Sequence, residues 1–533
     1  VPEPPALQTS VGECSYGVWR EPVYQLALDF TTLLELRDGL DPYTLRTAEI
    51  DQALMDVTLL CDVELPEDEM LESVEKARAR LAPLLACANG PSMPNLHAFG
   101  HAHIDIAWLW PLAETERKIA RTLANQFSLM DEYPEFRFLL SQPHLYMLLK
   151  QRYPELYERV STAVKSGQVI ADGAMWVEAD TNISGGEALI RQVLHGRKFF
   201  REAFGVDSRV LWLPDVFGYS GALPQILKGC GGSGFATQKI TWAYNGGDAV
   251  PYNIFWWQGI DGSSIPAHIY TDYNSETHPR SIFERWNTRL QANGVPSLML
   301  AFGHGDGGGG PPRDHLEYLR RERDLEGLPR VKISSPAAFF EEMADRGLPT
   351  QRYVGELYFQ AHRGTYTSQA RTKLGNRRSE MALREAEMWG TAARALRGFD
   401  FSARTLDEAW INLMLNQFHD ILPGSSIHRV YEETEAILGE VYRNAQHTAR
   451  AAAASLTTPG AGQTAFNSLN WERTALVETS EGTAEVKVPA CGWITVSPAT
   501  TRRGRTGKRG ALAGERWLEN DLLRAEFNER GEL

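Results

Sequence analysis

Four short stretches gather the residues able to do chemistry. The first, GHAHIDIAWLWP at Gly100–Pro111, sets His101, His103 and Asp105 two residues apart, with Trp108 and Trp110 close behind. Residues two apart on extended backbone share a face. The two imidazoles and the carboxylate would then look one way, and Ile104 and Ile106 the other. The second stretch, LPDVFGYS at Leu213–Ser220, places Asp215 ahead of a glycine turn. The third, NQFHDILPGS at Asn416–Ser425, offers His419 and Asp420. The fourth, GHGDGGGGPP at Gly303–Pro312, carries His304 and Asp306 in a loop almost without side chains. Histidine nitrogens with aspartate oxygens suit zinc or another divalent ion of intermediate hardness.

Each stretch has a plainer reading when taken singly. An HxD at a strand end is more often a hydrogen-bonded loop, and an Asp before a Gly turn is usually a cap. A His-Asp at a helix end commonly answers the helix dipole. A glycine run is usually a surface loop, and tryptophans such as Trp108 and Trp110 are more often core or rim. The conjunction is less plain, because three of the four follow β-rich runs that would belong to one sheet.

Those runs are Leu96–Phe99, Phe136–Leu140, Val169–Ala171, Val210–Leu213, Phe235–Thr237, Ile265–Tyr270 and Leu298–Phe302. Helical patterns such as Glu114–Met130 and Gly186–Phe204 lie between them. Strands alternating with helices imply a mostly parallel, seven-stranded α/β domain over residues 96–349, with functional groups at the carboxyl ends of the strands. Residues 1–95 read as mainly helical. Leu374–Ala395, Leu406–Phe418 and Ile427–Leu456 read as a three-helix bundle over 350–456. Residues 460–533 turn to β patterns and read as the start of a β-sandwich domain whose remainder lies beyond Leu533. The fold class is thus α/β, then α, then β.

Net charge is −14, from 54 basic and 68 acidic residues, which argues against nucleic acid and anionic membrane as partners. No apolar run is long enough to span a bilayer. The opening VPEPPALQTS has neither a basic nor an apolar leader segment, so no secretory signal is expected. Five cysteines without CxxC spacing read as reduced thiols of a cytoplasmic protein. The oligomeric state stays open, a homo-oligomer included.

With these motifs the chain resembles the class II α-mannosidases, glycoside hydrolase family 38, in their cytosolic and bacterial branch. GHAHIDIAWLWP is similar to the family's opening metal motif, LPDVFGYS to its nucleophile motif, and GHGDGGGGP and FHDILPGSSI to two more. MWVEADTN at Met175–Asn182, WWQGIDGS at Trp256–Ser263 and ELYFQAHRGTYTSQ at Glu356–Gln369 also follow the pattern. The resemblance runs from Leu96 to about Leu456 and extends into the β region. It implies one zinc, or another divalent transition metal, held by His103, Asp105, Asp215 and His419. His101, Asp420 and His304 would sit beside these ligands, orienting them. Asp215 would also be the nucleophile, Asp306 the acid/base, and Trp108 the platform under the sugar ring.

The implied activity is retaining, zinc-dependent hydrolysis of terminal α-mannosides in oligosaccharides through a covalent mannosyl-enzyme. Such enzymes place two carboxyls about 5–5.5 Å apart. Two other readings remain. A metal-dependent carbohydrate deacetylase also uses His and Asp at strand tips, but for acyl transfer. A catalytically inactive sugar-binding fragment would keep the fold and the metal alone.

Overall fold

A computed structural model of the chain describes residues 12–242, 249–291, 293–458, 462–479, 482–496, 502–503 and 511–533. The expectation about a leader falls on residues 1–11, outside the described residues. The chain divides into two units, Val1–Glu380 with Ile411–Gly439, and Met381–Trp410 with Glu440–Leu533.

The first unit begins with three helices, Glu21–Gly39, Leu45–Leu60 and Glu67–Leu85. Pro22 sits in the first turn of the first helix, where a missing N–H costs nothing. The Thr44 hydroxyl caps the second by accepting from the Thr47 N–H. Their apolar faces meet through Leu33, Leu36, Ile50, Ala53, Val74 and Leu81, all buried. Buried Asp29 accepts from Arg78 at 3.0 Å and pairs with Arg321 at 2.7 Å, which ties this helical group to the helix Arg313–Glu322.

Among the described residues ten strands follow: β1 (Asn95–His101), β2 (Phe138–Leu139), β3 (Val169–Ile170), β4 (Val210–Trp212), β5 (Gly234–Thr237), β6 (Ile254–Gln258), β7 (Ser264–Ile269), β8 (Ser297–Phe302), β9 (Arg330–Ile333) and β10 (Arg352–Val354). They make two sheets, where the sequence led us to expect one sheet of seven. The first has the order β3-β2-β1-β8, with β9 also pairing to β1, and all its pairings are parallel. The second has the order β10-β6-β7-β5-β4, parallel except for the β6-β7 hairpin. All seven expected strands form. The added three are one arm of a hairpin and two strands of three or four residues. Lys332 and Arg352 are exposed on those short strands, so no apolar run marks them. Periodicity finds strands but carries no information on which neighbour each will choose.

The helices Ala370–Arg397, Ala403–Asn416 and His428–Leu456 supply residues to both units. Among the described residues no helix is long and apolar enough to cross a membrane. In the second unit, β11 (Thr464–Asn467) pairs antiparallel with β14 (Gly492–Thr495). β12 (Arg473–Thr479) and β13 (Gly482–Val488) form a seven-residue antiparallel ladder. Val486, Val488 and Val496 are the centre of a small core lined by Ala465, Ala475, Val477 and Ile494. Trp389 packs edge-on against Phe466 at 5.1 Å, and Arg384 donates to the Ser468 carbonyl at 2.7 Å. Trp517–Glu519 pairs antiparallel with Arg524–Glu526.

Candidate active site

β1 is the central strand of its sheet and delivers the first motif. The strand ends at His101, and the backbone leaves the sheet there. The alternation argument therefore holds only as far as His101. Its ring accepts from the Trp212 indole N–H at 3.1 Å and keeps company with Trp212 and Tyr273 rather than with a carboxylate. Burial holds the His101 imidazole down at about 3, with His103 adding to the effect.

His103 and Asp105 follow on irregular backbone, 1% and 2% exposed. The turn is pinned by the Thr115 hydroxyl on the Asp105 and Ile106 carbonyls and by the Gln142 amide on the Ile104 carbonyl. His103 Nε2 lies 2.9 Å from Asp105 Oδ1, and its Nδ1 lies 3.0 Å from Glu178 Oε2. Burial alone would push the His103 imidazole down. Glu178 and Asp105 outweigh it and hold the imidazole well above its ordinary range.

Asp215 arrives at the tip of β4, in the other sheet. Its two oxygens have different company. Oδ1 accepts from Lys239 Nζ at 2.7 Å and from the Tyr273 hydroxyl at 3.2 Å. Oδ2 lies 3.9 Å from His103 Nε2 and 3.9 Å from His419 Nε2. Burial pushes the Asp215 carboxyl up, yet the charge of Lys239, followed by that of His103, brings it below its ordinary value. Removing one ion of such a buried pair costs about 3–5 kcal/mol, so Lys239 and Asp215 are bound to one another's presence.

His419 follows the helix Ala403–Asn416, where Phe418 bridges to Ala179 as a short β contact. The His419 amide and its Nδ1–H both donate to the Glu178 carbonyl, at 3.2 and 2.8 Å. That fixes Nε2 as the free nitrogen. Among the described residues Nε2 has no hydrogen-bond partner; it is buried 3.6 Å from Asp105 Oδ1 and 3.8 Å from Asp420 Oδ2. Burial lowers the imidazole to about 4. Asp420 accepts from the Ser425 hydroxyl, and burial followed by the nearby Asp105 charge pushes its carboxyl well up.

The glycine loop after β8 closes on itself through paired His304 and Gly310 amides and carbonyls. Gly303 adopts φ 124°, a backbone region that suits glycine, and a Cβ at Gly305 would collide with the Tyr273 carbonyl. The Asp306 amide donates to Asn274 Oδ1 at 2.8 Å. Its carboxyl is pushed up, first by loss of water around it, with Asp105 and Asp215 adding and His103 and Lys239 opposing. His304 is exposed, and its ring neighbours His315 at 5.7 Å. Trp108 is half-buried, edge-on to Trp110 at 6.0 Å, and its carbonyl accepts from Ile427 N–H at 2.8 Å.

The structure thus brings His103, Asp105, Asp215, His419 and Asp420 to one place, in two overlapping triads that could hold a metal ion: His103, Asp215 and His419, and Asp105, His419 and Asp420. His101 and His304 stand outside both triads. Donors about 2.0–2.2 Å from a single ion would stand roughly 3.3–3.6 Å apart. The separations of 2.9, 3.6, 3.9 and 3.9 Å among His103, Asp105, Asp215 and His419 bracket that value. The unpartnered His419 Nε2 and two facing carboxylates fit a dication.

Residues 93–360 match the glycosyl hydrolases family 38 N-terminal domain, and residues 360–456 match the alpha mannosidase middle domain. The chain belongs to glycosyl hydrolase family 38. Alpha-mannosidase 2C1 of Homo sapiens is 34% identical over 99% of this family 38 chain and 52% of its own length. Alpha-mannosidase G of Dictyostelium discoideum is 42% identical over 65% of the chain and 32% of its own length. The alpha-mannosidase of Saccharomyces cerevisiae is 38% identical over 64% of the chain and 32% of its own length. The family 38 chain therefore spans about half the length of the human relative. The crystal structure of an alpha-mannosidase from Enterococcus faecalis V583 shares the fold, with a TM-score of 0.62 and 21% identity over 72% of this chain and 46% of that one.

Three residues of this family 38 site escaped sequence reasoning. Glu178 lies inside MWVEADTN, a stretch that follows the family pattern and was given no role. Lys239 and Tyr273 follow β5 and β7, and nothing in their local sequence marks them.

Proposed function

We propose that the protein is a retaining, zinc-dependent α-mannosidase acting on terminal α-mannosides of oligosaccharides. The observation that carries the reading is Asp215, a carboxylate held low in a buried cluster whose oxygens divide between a cation and a set of metal-type donors. Family 38 membership favours glycosidic cleavage over acyl transfer. Five unpaired cysteines favour a cytoplasmic setting.

In this reading His103, Asp105, Asp215 and His419 hold the ion. When bound, it would coordinate the vicinal O2 and O3 hydroxyls and favour a distorted ring. That would read the axial 2-hydroxyl distinguishing mannose from glucose. Trp108 offers a ring face to the sugar. Asp215, ionised, attacks the anomeric carbon. Asp306, its carboxyl pushed up, holds a proton for the departing oxygen and afterwards takes one from water. Glu178 orients both histidines, His103 through its carboxylate and His419 through its carbonyl.

Two results are expected. Asp306→Asn slows alkyl mannosides, whose leaving oxygens need a proton, by at least about 100-fold, and slows dinitrophenyl mannoside far less in the first step. Equal losses on both, by steady-state and burst kinetics, would remove Asp306 from the acid role. Glu178→Gln, which leaves the His419 contact to the carbonyl in place, weakens metal affinity about 10–100-fold. Competition with a chromophoric chelator measures it, and unchanged affinity would reduce Glu178 to a packing role. The test of the activity itself is a panel of manno-disaccharides hydrolysed with and without added zinc.

A further inference from the structure

The Asp215 carboxylate is ion-paired on the oxygen turned away from the histidines. Lys239 Nζ sits 2.7 Å from Oδ1, with 5% of its side chain exposed. The ammonium is caged by the faces of Trp242 at 3.9 Å and Phe217 at 5.2 Å. Its backbone is fixed as well. Lys239 opens a single helical turn after β5, and its amide donates to the Pro214 carbonyl, one residue before Asp215. Tyr273 adds a second donor to the same oxygen. The two aromatic faces and the fixed backbone hold the ammonium in place against one reacting group.

We propose that Lys239 is a further residue of the reaction: a fixed counter-charge that makes Asp215 a good leaving group in the second displacement. The inference rests on the retaining reading given above. In the first step an Asp215 oxygen bonds to the anomeric carbon, the glycosidic C–O bond breaks, and the Asp306 proton goes to the departing oxygen. The ester so formed is neutral, and the Lys239 charge is left without its partner. In the second step a water oxygen bonds to the anomeric carbon and the Asp215 C–O bond breaks. The electron pair returns to the carboxylate beside Lys239, and a water proton goes to Asp306. A cation at this point disfavours ester formation and favours ester cleavage, so removing it slows the second step selectively. Fixed charges aimed at a developing anion contribute strongly in a water-poor site.

The test compares Lys239→Met and Lys239→Gln with the wild type, in the active protein, on dinitrophenyl α-mannoside. In both variants kcat is expected to fall about 100-fold. KM should fall in parallel, leaving kcat/KM within about threefold of wild type. A burst of dinitrophenolate near one equivalent per site accompanies this, because the mannosyl-enzyme accumulates. A merely structural role would lower kcat/KM and give no burst, and that result overturns the proposal. Lys239→Arg keeps the charge and is expected to give a smaller burst than Lys239→Gln; an equal burst overturns the charge argument. If the uncharged variants fail to fold, Tyr273→Phe removes the second donor to Oδ1 without stranding an ion. It is expected to give the same pattern more weakly, and loss of kcat/KM with no burst counts against the proposal. Labelling of wild type by a fluorinated mannosyl fluoride separates the two levels of the argument. Without a label on Asp215 the retaining reading falls, and the role of Lys239 with it. With the label on Asp215 and no burst in the variants, the role of Lys239 alone falls.

Discussion

Asp215→Ala is expected to lower kcat on an aryl α-mannoside by at least about 10,000-fold, the scale seen when a nucleophile is removed. The effect should be this large because one side chain serves two ends. Its Oδ2 faces His103 and His419, and its Oδ1 faces Lys239 and Tyr273. Alanine removes the attacking group and a metal donor together, and it strands the Lys239 ammonium in a site with 5% of that side chain exposed. Asp215→Asn keeps the shape and a weak oxygen donor but cannot attack. Activity lost in both variants, with metal retained better in Asn than in Ala, would separate the two roles. The measurement is steady-state kinetics with metal content on the same samples and a thermal midpoint to show that each folds. A loss below about tenfold in Asp215→Asn would leave the nucleophile unidentified.

The second large effect is expected from metal removal. Chelation should lower kcat/KM by at least about 100-fold, with recovery on adding zinc back. The electrostatics explain the size. Asp105, Asp215 and Asp420 converge within one buried cluster, and His419 Nε2 faces them without a proton or a partner. Stripped of a dication, the carboxylates repel, and His103 must carry a proton to hold Asp105. The thermal midpoint should therefore drop on chelation and return with zinc. His419→Ala should reproduce the loss and no longer respond to zinc, in activity or in midpoint. Full activity in chelated protein would remove the ion from the account.

What the sequence made legible follows from where the chemistry is local. β1, β4 and β8 are apolar runs that end in polar motifs, and in each case the polar residue sits just past the strand's carboxyl end. His103, Asp105 and Asp215 were readable as strand-tip residues, and the family resemblance joined His419 to them although more than three hundred positions separate His103 from His419. The arrangement of the sheets was not readable. Asp215 approaches from a different sheet than His103, because strand order depends on helix packing that no local pattern encodes. His101 illustrates a different limit. Period-two alternation put it on one face with His103 and Asp105, but the strand ends at that residue, and its ring turns to Trp212. Glu178, Lys239 and Tyr273 were hidden for a third reason. Each acts through contacts with residues distant in sequence, which leave no periodicity, and for Glu178 the MWVEADTN stretch marked the segment without marking the role.

The central claim is that Asp215 acts as a nucleophile in a double displacement on α-mannosides. Proton NMR of the first product formed tests it most directly, with the reaction followed from its first turnovers before mutarotation. The account predicts that α-mannose appears first and that the β anomer grows in later. First appearance of β-mannose would mean single displacement by water and would contradict the account.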